Sequence, residues 1–157
     1  MMRMTVRCDN KRAMARLDSM EAAAKDFRMV FQWARTELAK ANAANFSASG
    51  LPVGGWSPLK PKYASWKSRN FPGAPIMVQN GALRRDLSTL RGPANDIRRT
   101  SAKFGTSIEY AKFHQYGTTR MAKRQIVFEP PLFAKQLALQ AKKHIVDAAN
   151  GARRRRA

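Results

Sequence analysis

Asn80-Gly81-Ala82-Leu83-Arg84-Arg85-Asp86-Leu87, a polar alternating run to Ser107, then Tyr110-Ala111-Lys112-Phe113-His114-Gln115-Tyr116-Gly117: this stretch decides the fold. Asn-Gly is a turn signal, because both residues tolerate positive φ. Leu83, Leu87 and Leu90 follow it at helical spacing. Ile97 to Ile108 reads as two short strands with Lys103 near their turn. Tyr110, Phe113 and Tyr116 then fall on one side of a short helix that shares them with a core. Gly117 ends that helix. The order is turn, short helix, hairpin, short aromatic helix, loop, and no part of it is a catalytic motif.

Upstream lies the strongest helical pattern in the chain. Asp9 or Asn10 is placed to cap it. Ala13, Leu17, Met20, Ala24, Phe27, Phe31, Ala34, Leu38 and Ala41 then recur in steps of four and three, a heptad seam. The opposite face is basic. The pattern predicts one long helix from about Lys11 to Ala44, lying across a sheet or packing on neighbouring subunits. Met4 to Arg7, before it, is β-prone. Between Phe46 and Gly55 the chain is loop. Pro61 suits the first turn of a short helix carrying Tyr63, Trp66 and Lys67 and ending before Asn70. Trp56, Tyr63, Trp66 and Phe71 alternate with lysines and Arg69. That pattern either stacks bases or anchors a loop-rich flap to the core, and the second reading is preferred.

Ile76 to Gln79 and Gln125 to Phe128 read as short strands. Thr118 to Lys123 reads as a mobile basic loop. Pro130 and Pro131 introduce a last helix that Asn150-Gly151 ends. The fold class is therefore α+β: a small, mostly antiparallel sheet with a long N-terminal helix and a C-terminal helix. Residues 1–150 form one domain, and 151–157 are a basic tail expected to be disordered when free.

The chain has 157 residues, enough for one domain with a real core. Thirty Lys and Arg face ten acidic residues, a formal net charge of +20. An excess of that size favours a polyanionic or acidic partner. Cys8 is the only cysteine, which excludes an intrachain disulfide or a cysteine zinc site. No apolar run begins the chain, so no signal peptide is expected. None approaches the roughly 20 residues of a membrane span, so a soluble protein made in a cytoplasm is expected.

The central pieces "NGALRRDLSTL" and "AKFGTSIEYAKFHQYGT", with "GGWSPLKPKYASWK" upstream, resemble the phage virion morphogenesis family. These are neck and tail-completion proteins of tailed bacteriophages. The matching residues are Trp56, Pro58, Leu59, Lys67, Gly81, Leu83, Tyr110, Ala111, His114, Gln115 and Gly117. The resemblance runs from roughly Trp56 to Phe133. Phe128-Glu129-Pro130-Pro131-Leu132-Phe133 stands where the family often has a Pro-x-Arg-Pro-Phe-like element, and lacks its Arg.

The resemblance implies a structural component of the head–tail junction, a homo-oligomeric ring of sixfold or twelvefold symmetry assembled in the host cytoplasm. Its partners would be neighbouring neck and tail-tube or terminator proteins, and genomic DNA held without sequence preference. A basic, sequence-independent nucleic-acid-binding protein is the alternative, though no helix-turn-helix, RNA-recognition or zinc motif is present.

No enzyme constellation emerges. His114 and His144 lack metal-ligand spacing, and Gly117-Thr118-Thr119 lacks the Gly-Lys-Ser/Thr ending of a phosphate loop. No catalytic residue, metal or cofactor is expected. Contacts to subunits or partners are assigned to Leu17, Phe27, Phe31, Leu38, Trp56 and Trp66. Gly81, Leu83, Tyr110, His114, Gln115 and Gly117 are assigned to a structural corner. DNA or an acidic partner is assigned to Arg120, Lys123, Arg124, Arg153, Arg154, Arg155 and Arg156.

Overall fold

A computed structural model describes residues 10–154. The expectations for Met4 to Arg7, Cys8, Asp9, Arg155 and Arg156 lie outside the described residues. The element order is α1 (Lys11–Ala24), α2 (Arg28–Ser47), a short 3-10 turn (Leu51–Val53), α3 (Pro61–Asn70), α4 (Ala82–Thr89), β1 (Asp96–Ile97), β2 (Ala102–Lys103), α5 (Ala111–Tyr116) and α6 (Phe133–Arg154). The fold is α+β, with a two-stranded antiparallel sheet and a C-terminal helix.

The expected single N-terminal helix is two helices, α1 and α2. It breaks at Lys25-Asp26-Phe27, and the freed backbone groups find partners elsewhere. The Phe27 N–H donates to the Arg99 carbonyl at 2.7 Å. Asp26 Oδ1 accepts the Arg28 N–H at 3.1 Å, which seeds α2. His144 Nε2–H donates to the Asp26 carbonyl at 2.9 Å, from α6. Asn10 sits at the start of α1 but makes no side-chain cap.

The break also turns the buried face. On α2 it is Val30, Ala34, Ala39, Asn42, Asn45 and Phe46 that are buried. Phe27, Phe31 and Leu38 are half-buried, and Leu17 is 56% exposed. The expected continuous seam is therefore not one core face.

The core is where α2 meets α4. Phe46, Trp56, Leu83, Leu87, Leu90, Ala111 and Ile126 form its centre, and Leu87 is fully enclosed. Asn80-Gly81 makes the expected turn: Gly81 has φ +77°, and Asn80 Oδ1 accepts the Ala82 N–H at 3.1 Å. α4 then delivers Leu83 and Leu87 to the core, as their spacing requires.

The hairpin is shorter than expected and its turn lies earlier. Asp96 pairs with Lys103 and Ile97 with Ala102, so Lys103 is in the second strand. The Arg98 N–H donates to the Ser101 carbonyl at 2.8 Å across the turn. Asn95 then ends the pairing by bonding both polar groups of the Gly105 backbone. Ile76 to Gln79 is a turn, not a strand: Met77 has φ +67°, and the Val78 N–H returns to the Pro75 carbonyl.

The helix α6 forms a second, looser region. Phe133 stacks on Trp33 at 6.1 Å, and His144 lies against Phe27 at 5.7 Å. Beyond that point α6 packs along α1. It continues through Gly151 to Arg154 instead of ending at Asn150-Gly151. A helical glycine costs only about 1 kcal/mol, which a long helix absorbs.

Candidate functional site

The motif residues converge on one extended segment, Arg124 to Val127. It was expected to be a strand from Gln125 to Phe128, yet it pairs with no strand. A single side chain replaces the missing neighbour. Gln115 Oε1 accepts the N–H groups of Ile126 at 2.9 Å and Val127 at 3.0 Å, and Gln115 Nε2 donates to the Val127 carbonyl at 2.8 Å. Glutamine suits this place because one amide both accepts and donates.

The rest of the segment is held from three other directions. The Arg124 N–H donates to the His114 carbonyl at 2.8 Å. Trp56 Nε1–H and Asn45 Nδ2–H both donate to the Gln125 carbonyl, at 2.8 Å and 3.1 Å. The Trp56 ring stands edge-on against Phe46 at 5.3 Å. Ile126 is carried into the core between these ties.

Two assignments made from sequence are corrected here. Trp56 is only 7% exposed and serves the core, so it offers no surface to a partner. Arg124 is 6% exposed. Its guanidinium donates to the carbonyls of Ser57 and Pro58, both at 2.9 Å, pinning the loop before α3. A buried guanidinium needs such partners, so Arg124 is a clamp and not a DNA contact. The loop before it contains a turn in which Thr118 and Met121 exchange backbone hydrogen bonds at 2.9 Å and 3.2 Å. Arg120 and Lys123 are exposed on it.

The corner around α5 holds in outline and differs in detail. Gly117 has φ +77°, and a Cβ there would lie 2.9 Å from the Lys123 nitrogen, so glycine is required. Ala111 is the buried residue of α5. Tyr110, Phe113 and Tyr116 are exposed, Tyr116 to 78%, and are not shared with the core. A helix of six residues has one inward face, and Ala111 and Gln115 occupy it. His114 acts through its backbone carbonyl. Its ring lies edge-on to Tyr110 at 6.0 Å, and its buried Nδ1 has no hydrogen-bond partner.

Beside this hub is a cleft of about 590 Å³ between the loop before α3, the turn leading into α4, α5 and the Arg120–Arg124 loop. Leu59, Tyr63, Met77, Leu83 and Met121 give it apolar walls, and Lys60, Lys67, Arg120 and Arg124 surround them. Lys67 is 5% exposed, and its ammonium donates to the Pro75 carbonyl. Burial first, and the nearby Arg124 charge second, push the Lys67 pKa down. The same two causes, in the same order, lower that of His114 and favour its neutral imidazole. Tyr63 and Trp66 stack at 5.5 Å at the surface of α3, both partly exposed. Trp66 thus remains open to a partner.

The phage virion morphogenesis family matches residues 8–144. The chain belongs to that family. It is a phage virion structural or assembly protein, associated with the virion. No curated protein and no solved structure matches it significantly. Among the described residues of this virion protein, no group of His, Cys, Asp and Glu is placed to hold a metal ion. No described helix is long and apolar enough to cross a membrane.

The residues that resemble the family from sequence alone thus have an architectural meaning. Trp56, His114 and Gln115 converge on Arg124–Val127, and Lys67 and Arg124 secure the two loops flanking α3. What sequence reasoning missed is Asn45, His144 and the clamping role of Arg124. Asn45 carried a signal, since an amide at a core position of an amphipathic helix must have a buried partner.

Proposed function

We propose that the chain is a ring-forming tail-completion or neck component at the phage head–tail junction, lining or flanking the DNA channel. Family membership supplies the setting. The observation that carries the ring is the α1–α6 pair. Met14 and Leu17 on α1, and Leu139 and Val146 on α6, are exposed in the single chain. Exposed apolar side chains on a helix pair offer a neighbour a contact surface, and the same contact repeated by rotation closes a ring. Sixfold or twelvefold closure fits the symmetry of tailed-phage necks. The formal net charge of +20 supports nearness to packaged DNA, because each copy adds to a basic surface that attracts phosphate without reading sequence. Arg120, Lys123 and the Arg153–Arg156 tail are the residues proposed to make that contact.

The test is an infection in which the protein is absent, followed by imaging of the particles. Tailless heads or unjoined tails are the expected result, restored by supplying the wild-type protein. Complete, infectious particles would reject the proposal. A DNA titration of the full-length chain over a salt series separates the alternative reading. Weak binding that falls steeply with salt fits a channel protein, whereas tight, salt-tolerant binding fits a dedicated nucleic-acid module.

A further inference from the structure

The cleft beside the hub has the composition of a recognition site. Its walls are apolar, yet four cations line it and none of the described lining residues is acidic. Two of those cations, Lys67 and Arg124, are almost wholly enclosed and are bonded only to neutral backbone carbonyls. Buried charges of one sign are costly unless an opposite charge answers them. Elsewhere, Glu21, Asp26, Glu37 and Asp96 pair with neighbouring cations, and Asp86 accepts from Thr106. Nothing on the cleft's own rim neutralises it.

We infer that this cleft docks an extended segment of a partner virion protein, one that places an aliphatic or aromatic side chain beside a carboxylate. The apolar side chain fills the space between Leu59, Met77 and Met121. The carboxylate meets the cations around it, with Lys60 and Arg120 at the rim. The volume is in the range that holds a small ligand or one or two anchoring side chains. A protein segment is the occupant to expect, because the chain works among other virion proteins. The inference needs neither a ring nor a particular station at the junction.

A random-peptide library selected on the full-length protein tests it. Enriched sequences are expected to share an apolar residue within two positions of Asp or Glu. The best of them, titrated against the protein, should bind about tenfold or more tightly than its Asn or Gln twin, the usual weight of a charged hydrogen bond. Lys60→Glu and Arg120→Glu change exposed side chains and should each weaken binding several-fold while leaving the melting temperature in place. Lys123→Glu is the control: it alters the same net charge on the same loop but does not line the cleft.

Four outcomes overturn the inference. They are no enrichment, enrichment of apolar peptides without acids, enrichment of acidic peptides without an apolar anchor, or equal loss in Lys123→Glu and Arg120→Glu. A fifth is self-association of the protein that Glu129→Gln abolishes. The occupant would then be the Phe128-Glu129 segment of a second copy.

Discussion

The hub around Arg124–Val127 and the α1–α6 helix pair are built from the same materials and end in opposite states. The hub encloses Phe46, Leu87 and Ile126 almost completely and joins loop to helix with long-range polar bonds. The helix pair buries Ala23 and Ala149 and leaves Leu17, Leu139 and Val146 outside. Amphipathic periodicity shows that a face is apolar. It does not say whether that face is covered by its own chain or by another. One region completes itself within the chain, and the other leaves apolar side chains exposed.

Substitutions can break that contrast, starting in the hub. Leu87→Ala should cost about 3–5 kcal/mol in denaturant unfolding, because a fully enclosed side chain leaves a cavity. A cost below about 1 kcal/mol would mean the hub is as loose as the helix pair. Gln115→Leu keeps the volume but strips two N–H groups of their acceptor. It should cost about 1–3 kcal/mol, and hydrogen exchange at Ile126 should quicken. Phe27→Ala, at the half-buried joint between the regions, should cost about 1–2 kcal/mol. A cost as large as that of Leu87→Ala would extend the core into α1.

The joint also has a pH signature. Hydrogen bonds from Arg28 hold the Asp26 carboxyl at about 2, below its ordinary value. The unfolded chain takes up this proton first. The stabilisation is therefore present above an ordinary carboxylate pKa of about 4 and lost as pH falls towards about 2. Wild-type protein should lose more stability than Asp26→Asn across that window, read as the shift in urea midpoint. The smallest effect on folding is expected from Leu17→Ser, within about 0.5 kcal/mol. The same variant should impair assembly in an infection. Normal assembly would show that α1 faces water in the virion.

Local chemistry explains what was legible in the sequence. Asn80-Gly81, the Pro61 start of α3 and the Leu83–Leu87 spacing are short-range signals, and each lies where it was read. Gly117 belongs with them. What was not legible depends on partners distant in sequence. Gln125 to Phe128 has strand-like residues but no strand beside it, since Gln115 does that work from twelve residues away. Arg124 looks like its neighbours Arg120 and Lys123 until the Ser57 and Pro58 carbonyls arrive beside it. The Lys11–Ala44 seam was continuous in periodicity. The break depends on Asp26, whose short acceptor was readable, and on Arg99 and His144, which were not. Of the candidate surface residues, Trp66 and Leu17 stayed outside, while Trp56 went in.

The way Gln115 occupies the Arg124–Val127 segment has a consequence for aggregation. A lone extended stretch with free backbone groups invites a second chain to add itself alongside, and that process has no natural stopping number. Here the Ile126 and Val127 N–H groups and the Gln125 and Val127 carbonyls are already engaged within the chain. These bonds make the stretch a poor template for strand addition. Association through side-chain surfaces, by contrast, has a shape that sets an angle and therefore a count. The glutamine amide thereby lowers the tendency of this segment to seed fibre growth.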